Sequence, residues 1–226
     1  MQIMIMEYYE KIAVLGDIRS HKRIIQPTGD WAFGTLQNEY DEIKALVPSE
    51  DFLLAAVKIT DWNSELSPWR VSAVFGNEDF GDGAEDTLAF IINELIPYLE
   101  KEYPCEKAEY YLCGYSLAGL FALWAAYNTN AFSGIAAVSP SVWFEGWGDY
   151  AKTNDILTEK VYLSLGDREE KAKNKRLAAV GEAIRTQAAM LKERGIDCTL
   201  ESNPGNHFRE PEKRLAKGIA CLLKNK

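Results

Sequence analysis

Gly114-Tyr115-Ser116-Leu117-Ala118-Gly119 places a serine between small residues, where the β-favouring segment 110–113 runs directly into the apolar segment 117–127. A serine in a sharp strand-to-helix corner needs small residues two before and two after it, because only then can the backbone turn tightly enough to expose the hydroxyl. Gly114 and Ala118 meet that requirement. A segment that is apolar on every side is typical of a helix buried under a sheet. The stretch therefore predicts a strand, a nucleophile elbow and a helix, in that order.

Strand and helix signals alternate from about residue 22 to the C-terminus. Several predicted strands are continuous β-branched or aliphatic runs, which is typical of strands buried on both faces of a sheet. They comprise residues 23–26, 52–59, 71–75, 110–113, 135–138, 161–165 and 198–201. Apolar residues at helical spacing predict helices over 88–99 and 177–191, a further helix is expected around 36–46, and Pro211 is placed to begin a last one. The alternation predicts an α/β fold with a mostly parallel, doubly wound sheet.

Two segments add detail to that fold. Residues 1–20 predict an antiparallel edge pair with a turn near Gly16 and Asp17. Residues 139–160 alone separate two predicted strands, and this is too short for a large cap domain. We therefore expect one domain over residues 1–226, with an open cleft.

The charge balance argues against polyanionic partners. Lys and Arg number 25 against 34 Asp and Glu, the net charge is -9 and no basic run is present. Neither nucleic acid nor an anionic membrane is therefore expected as a partner, and we expect a small molecule instead. The sequence leaves a homo-oligomer open. No signal-peptide pattern and no apolar run of 18 residues is present, which predicts a cytoplasmic protein.

The cysteines are dispersed, without the spacing or the nearby histidine of a metal site and without the density of a disulfide framework. They are Cys105, Cys113, Cys198 and Cys221. We expect them to be small core residues, and we expect neither a metal nor an organic cofactor.

A serine hydroxyl is a weak nucleophile at neutral pH, so it needs a histidine to take its proton and a carboxylate to orient that histidine. The chain has two histidines. His21 precedes the first core strand, whereas His207 follows the last one in a loop rich in turn residues. Elbow folds carry serine, acid and histidine in that chain order, so only His207 qualifies.

The acid is expected just past the predicted strand 161–165, where Gly166 precedes carboxylates at 167, 169 and 170. We prefer Glu169, which stands three residues past the glycine and whose longer side chain spans the extra reach. Asp167 is the alternative acid. The remaining charges are expected to form a solvated face. A histidine assisted only by a carbonyl or by water also stays open.

An oxyanion hole needs two backbone N–H donors. We expect the first from Leu117 and the second from Asp30, or from Trp31 beside it, with the loop 60–62 competing for that second role. Five of the six tryptophans fall in loops after predicted strands, the edge where open α/β sheets bind ligands. Of these, Trp31 and Trp143 are predicted to line the substrate pocket.

Four stretches together resemble the "putative esterase" family of α/β-hydrolases, which includes S-formylglutathione hydrolases, enterochelin-type esterases, feruloyl esterases and mycolyltransferases. They are GYSLAGLFALWAA at the elbow, FSGIAAVSPSVWF, VYLSLGDREE and NPGNHF. The resemblance implies a triad of Ser116, Glu169 and His207 acting on carboxylic esters. The chain has Leu-Ala-Gly after the serine where many members have x-Gly-Gly. Its acidity and lack of basic clusters argue against an anionic iron–catecholate substrate.

The sequence thus predicts a serine esterase that cleaves esters of a small molecule through an acyl-enzyme on Ser116. Acyl transfer to an alcohol or thiol by the same triad is an alternative. A non-catalytic small-molecule-binding domain that keeps the elbow as architecture is another, although the presence of all triad elements in order argues against it.

Overall fold

The computed structural model describes residues 4–5, 11–74 and 76–224 of the chain. Its strands are β1 (Met4–Ile5), β2 (Ile12–Gly16), β3 (Lys22–Gly29), β4 (Leu53–Ile59), β5 (Glu109–Tyr115), β6 (Gly134–Val138), β7 (Lys160–Gly166) and β8 (Asp197–Asn203). They form one sheet in the order β1-β2-β4-β3-β5-β6-β7-β8. Strand β2 is antiparallel to β1 and β4, and all other neighbours are parallel. This mostly parallel sheet confirms the predicted fold class.

Helices cover both faces of the sheet. They are α1 (Asp30–Phe33), α2 (Leu36–Leu46), α3 (Trp62–Glu65), α4 (Ala84–Phe90), α5 (Ile96–Glu102), α6 (Leu117–Asn128), α7 (Trp147–Thr153), α8 (Lys175–Ala178), α9 (Val180–Glu193) and α10 (Pro211–Leu223). A π-helical turn, Ile91–Leu95, joins α4 to α5. Every predicted helix is present, although the one over 88–99 is interrupted by the π-helical turn and the one over 177–191 is divided between α8 and α9. Among the described helices, none combines the length and the apolarity that crossing a membrane requires.

The sheet is buried on both faces, which explains its continuous apolar strand runs. In β4, Leu53, Ala55 and Val57 belong to one apolar cluster, whereas Leu54 and Ala56 belong to the other. Helices α4 to α7 and α9 contribute to the first cluster, and α2 and α10 to the second. Because the parallel strands all end at one edge of the sheet, the loops after β3, β5, β6, β7 and β8 meet there.

The prediction of a strand over 71–75 is wrong for the residues described. Val71 forms only an isolated antiparallel bridge with Phe80, and Phe75 lies outside the described residues. The β-branched residues favour a strand locally, but both positions beside β4 are already taken by β2 and β3. Tertiary context thus overrides the local preference.

The antiparallel edge predicted for residues 1–20 is present as β1 and β2, but the turn is not where we predicted it. Residues 6–11 connect these strands, and 6–10 lie outside the described residues. The turn at Gly16 and Asp17 instead leaves β2 toward β3, and the Asp17 N–H donates to the carbonyl of Phe52 at 2.9 Å. Gly16 has φ of 97°, a conformation that favours glycine.

A carboxyl group lies inside the second cluster. Glu39 of α2 is 4% exposed, and its Oε2 accepts a hydrogen bond from Gln26 Nε2 at 3.2 Å. Its other oxygen has no hydrogen-bond partner among the described residues. Burial raises the pKa of Glu39 from its ordinary value of 4.5 to about 7. The folded protein therefore binds a proton here that the unfolded chain releases at lower pH.

We expect this carboxyl to lower stability as the pH rises from 4.5 to 7, because ionisation is harder in the folded state. Replacing Glu39 by glutamine should raise the free energy of unfolding by about 3 kcal/mol at pH 8, with most of that gain gone at pH 5. Urea unfolding at the two pH values measures it. Glu42→Gln, on the same helix and less buried, is the matched control. A gain for Glu39→Gln that is equal at both pH values would contradict this expectation.

Candidate active site

Ser116 stands at the corner between β5 and α6. Its backbone has φ of 59° and ψ of -118°, a conformation that residues with a Cβ rarely adopt. Hydrogen bonds hold the corner, since the Ser116 N–H donates to Val138 O and the Ser141 N–H donates to Ser116 O, both at 3.0 Å. A Cβ at position 114 would lie 2.3 Å from the carbonyl oxygen of Ala118. Glycine at 114 is therefore required by the turn, as the motif predicted.

His207 reaches this serine from the loop after β8. Its Nε2 lies 3.0 Å from Ser116 Oγ, and its Nδ1 lies 2.8 Å from Glu169 Oε2. An ionised carboxylate only accepts, so Nδ1–H donates to Glu169 and Nε2 is left to accept from the serine hydroxyl. The imidazole is 30% exposed and the Glu169 side chain 5%. The structure thus brings Ser116, His207 and Glu169 into one hydrogen-bonded chain that opens toward solvent at the serine end.

The Glu169 carboxylate is held by several donors. Its Oε1 accepts from Gly166 N–H at 2.7 Å, from Ser139 Oγ–H at 2.7 Å and from Arg214 Nη1–H at 3.0 Å. Burial alone would raise the pKa of this carboxyl. The hydrogen bond and charge of His207 lower it, and so do the hydrogen bonds from Ser139 and Gly166. These effects outweigh burial, so the pKa of Glu169 lies below its ordinary value. Glu169 is therefore ionised at neutral pH.

Asp167, the alternative acid, has a different contact. Its Oδ1 accepts the Gly205 N–H at 2.7 Å, and Gly205 O in turn accepts the Arg168 N–H at 3.1 Å. Gly205 adopts φ of 103°, so the turn favours glycine there. Asp167 thus fastens the loop that carries the histidine, while Glu169 contacts the imidazole.

The two predicted oxyanion donors lie at neighbouring strand ends. Leu117 is the first residue of α6, so its N–H has no intrahelical acceptor. Asp30 begins α1 directly after β3, which pairs with β5 in the sheet, and its carboxylate forms an ion pair with Lys58 at 2.5 Å. In the competing loop, the N–H groups of Thr60 and Asp61 both donate to Glu65 Oε1, at 3.0 and 2.7 Å. Two N–H groups of the competing loop are thus already bound by a carboxylate, and Asp30 stays the predicted second donor.

The two predicted pocket tryptophans differ in exposure. Trp31 is 70% exposed and packs edge-on against Trp62, with ring centroids 4.9 Å apart. Trp143 is half-buried and packs edge-on against Phe80 at 6.0 Å. Trp31 therefore has free ring surface for a ligand, whereas part of Trp143 serves packing.

Three residues of this site were not predicted from the sequence. Arg214 and Ser139 bind Glu169, and the Tyr115 hydroxyl donates to His207 O at 2.5 Å. A signal for Arg214 was present, because it shares the buried face of α10 with Gly218 and Leu222 at four-residue spacing. A cation on an apolar helix face needs a buried partner.

Known proteins resemble this chain in sequence and in fold. Ferri-bacillibactin esterase BesA of Bacillus subtilis (strain 168) is 31% identical over 123 residues, which make up 50% of this chain and 42% of BesA. The chain thus spans less than half the length of this curated relative. Siderophore hydrolase EstA from Aspergillus nidulans superposes with a TM-score of 0.74 at 21% identity, over 93% of this chain and 88% of EstA. An IroE-like serine hydrolase from Shewanella oneidensis superposes with a TM-score of 0.73 at 16% identity, over 94% of this chain and 75% of that protein.

At these identities the superpositions establish the α/β-hydrolase fold. The family comes from the sequence itself, since the family model described as "Putative esterase" matches residues 52–214. That range includes Ser116, Glu169 and His207. The chain belongs to this esterase family.

Proposed function

We propose that this protein is a serine hydrolase that cleaves carboxylic esters of a small molecule through an acyl-enzyme on Ser116. One observation carries the proposal: Ser116 Oγ, the His207 imidazole and the Glu169 carboxylate are linked by contacts of 3.0 and 2.8 Å. This is the spacing that a nucleophile, a general base and an orienting carboxylate require. The family membership supports the same reaction type.

The proposed reaction has two halves. His207 Nε2 takes the proton of Ser116 as Oγ attacks the ester carbonyl, and the N–H groups of Leu117 and Asp30 stabilise the charge on the carbonyl oxygen. The imidazolium then protonates the leaving alcohol, which leaves an acyl-serine. In the second half His207 activates a water molecule, which releases the acid and restores the serine. Glu169 stays ionised throughout and stabilises the imidazolium.

For the substrate, we propose a small ester that an open site can admit. The relatives are named for bacillibactin and siderophore hydrolysis, so ester-linked siderophores belong in a substrate screen. The net charge of -9 opposes an anionic iron complex. An iron-free siderophore ester and its ferric complex should therefore be compared, with short-chain p-nitrophenyl esters as the neutral reference.

A fluorophosphonate probe tests the mechanism on the wild-type protein. We expect one probe per chain, and fragment-ion mass spectrometry should place it on Ser116 rather than on Ser139 or Ser141 of the same tryptic peptide. A p-nitrophenyl ester should give a burst of nitrophenol equal to the concentration of labelled sites, because an acyl-enzyme accumulates before hydrolysis. Folded protein that neither labels nor turns over esters would contradict the proposal and favour a binding domain.

A further inference from the structure

Arg214 lies buried on α10, directly under the candidate site. It is 3% exposed, and the Glu169 side chain that it contacts is 5% exposed. Its Nη1 donates to Glu169 Oε1 at 3.0 Å, and it also lies 3.2 Å from the hydroxyl oxygens of Ser139 and Tyr115. Charges attract strongly where water is excluded. A guanidinium is also always protonated, so this cation faces the carboxylate at every working pH.

The second terminal nitrogen of Arg214 holds the histidine loop. Nη2 donates to Pro204 O at 3.0 Å and to Asn206 O at 2.9 Å. Tyr115, which contacts Nη1, donates its own hydroxyl hydrogen to His207 O. One planar side chain therefore touches the acid with one nitrogen and the backbone that carries the histidine with the other. A lysine has no such fork and cannot reproduce both sets of bonds.

We propose that Arg214 is a positioning residue of this site, which holds the Glu169 carboxylate aimed at His207 and fixes the loop that brings His207 to Ser116. The inference rests on the proposed function. It assigns Arg214 no contact with substrate, because the guanidinium is buried behind the carboxylate. It therefore concerns the rate of the chemical step and not the binding of the ester.

The role has a consequence for pH dependence. The charged and titratable groups that face Glu169 are His207 from the loop after β8, Arg214 from α10 and Tyr115 from β5. Without the guanidinium, one positive charge beside the Glu169–His207 pair is lost. The pair then takes up a proton more readily, because that proton is no longer repelled by a neighbouring cation. Since the pair must lose that proton before His207 can act as base, the acid limb of the kcat/KM profile should move to higher pH.

The test compares Arg214→Met, Arg214→Lys and the control Lys213→Met with the wild-type protein. Lys213 is the neighbouring cation on the same helix and pairs at the surface with Glu210. Fluorophosphonate titration counts competent sites, and kcat, KM and the pH profile between about pH 5 and 9 are then expressed per labelled site. This removes any loss that comes only from unfolded protein.

We expect Arg214→Met to lower kcat per site by roughly 10- to 100-fold with little change in KM, and to move the acid limb up by about one pH unit. Arg214→Lys should keep the position of the acid limb, because it keeps the charge, and lose about tenfold in kcat, because it loses the carbonyl bonds. Lys213→Met should match the wild type in all three quantities.

Wild-type kcat and an unmoved acid limb in the Arg214 variants would overturn the inference while leaving the proposed function intact. If Arg214→Met fails to fold, Arg214→Lys decides alone, and a kcat per site equal to that of the wild type would overturn it. A wild-type protein that neither labels nor hydrolyses esters would overturn both proposals. The two failures are thus distinguishable in one set of measurements.

Discussion

Replacing Ser116 by alanine is expected to lower kcat/KM for a p-nitrophenyl ester by roughly 10⁴- to 10⁶-fold while leaving the fold unchanged. The side-chain oxygen is the only heavy atom removed, and its neighbour His207 keeps its bond to Glu169. Steady-state hydrolysis measures the loss, and circular dichroism with a urea unfolding curve confirms that the variant is folded. A Ser116→Ala protein with wild-type turnover would exclude the acyl-enzyme.

We also expect the effects of substituting Ser116 and His207 to be non-additive. His207→Ala should fall to a similar rate, and the double variant Ser116→Ala/His207→Ala should be no slower than either single variant, because groups that act as a unit are lost together.

Ser141 provides a matched comparison, since its hydroxyl lies only 3.5 Å from Ser116 Oγ. We expect Ser141→Ala to lose less than about tenfold, as it removes a neighbour of the nucleophile and not the nucleophile. Equal losses at 116 and 141 would require another assignment of the attacking hydroxyl.

Glu169→Gln is expected to lower kcat/KM by roughly 10⁴-fold. The amide can accept from His207 Nδ1–H in one orientation, but it cannot stabilise the imidazolium as a carboxylate does. With the amide nitrogen toward the ring it would favour the wrong tautomer. The same ester assay gives the loss, and fluorophosphonate labelling should slow in parallel because it depends on the same activated hydroxyl.

Asp167→Asn is the matched control for this prediction. It removes a carboxylate two residues away, and the asparagine oxygen can still accept the Gly205 N–H that Asp167 now accepts at 2.7 Å. We expect a loss below about tenfold. A large loss for Asp167→Asn together with a small one for Glu169→Gln would reverse the assignment of the acid.

The elbow and the positions of most strands could be predicted because they follow from local rules. Small residues flank Ser116, continuous apolar runs mark buried strands, and chain order selects His207. Local rules alone do not identify the acid, because three carboxylates stand within four residues. The structure separates them by partners elsewhere in the chain: Glu169 contacts Ser139 and Arg214, 30 and 45 residues away, whereas Glu170 forms an exposed ion pair with Arg185.

The errors have a common physical cause. Residues 71–75 favour a strand on their own, but no position beside β4 is open to receive them. A turn is present at Gly16, but it leads from β2 toward β3, and the Asp17 N–H donates to the carbonyl of Phe52, which is distant in sequence. The carboxylate partner of Arg214 is Glu169, which lies 45 residues away in the chain. In each case the deciding contact is long-range, and local sequence carries little information about it.

The positive φ of Ser116 also helps to explain why this position holds a serine. A side chain with a Cβ is strained there by about 1 to 3 kcal/mol, whereas glycine adopts such angles freely. A sequence optimised on this backbone for folding alone would therefore place glycine at 116. Serine at 116 therefore costs stability that glycine would not cost, and the proposed reaction, which needs a hydroxyl, explains its presence.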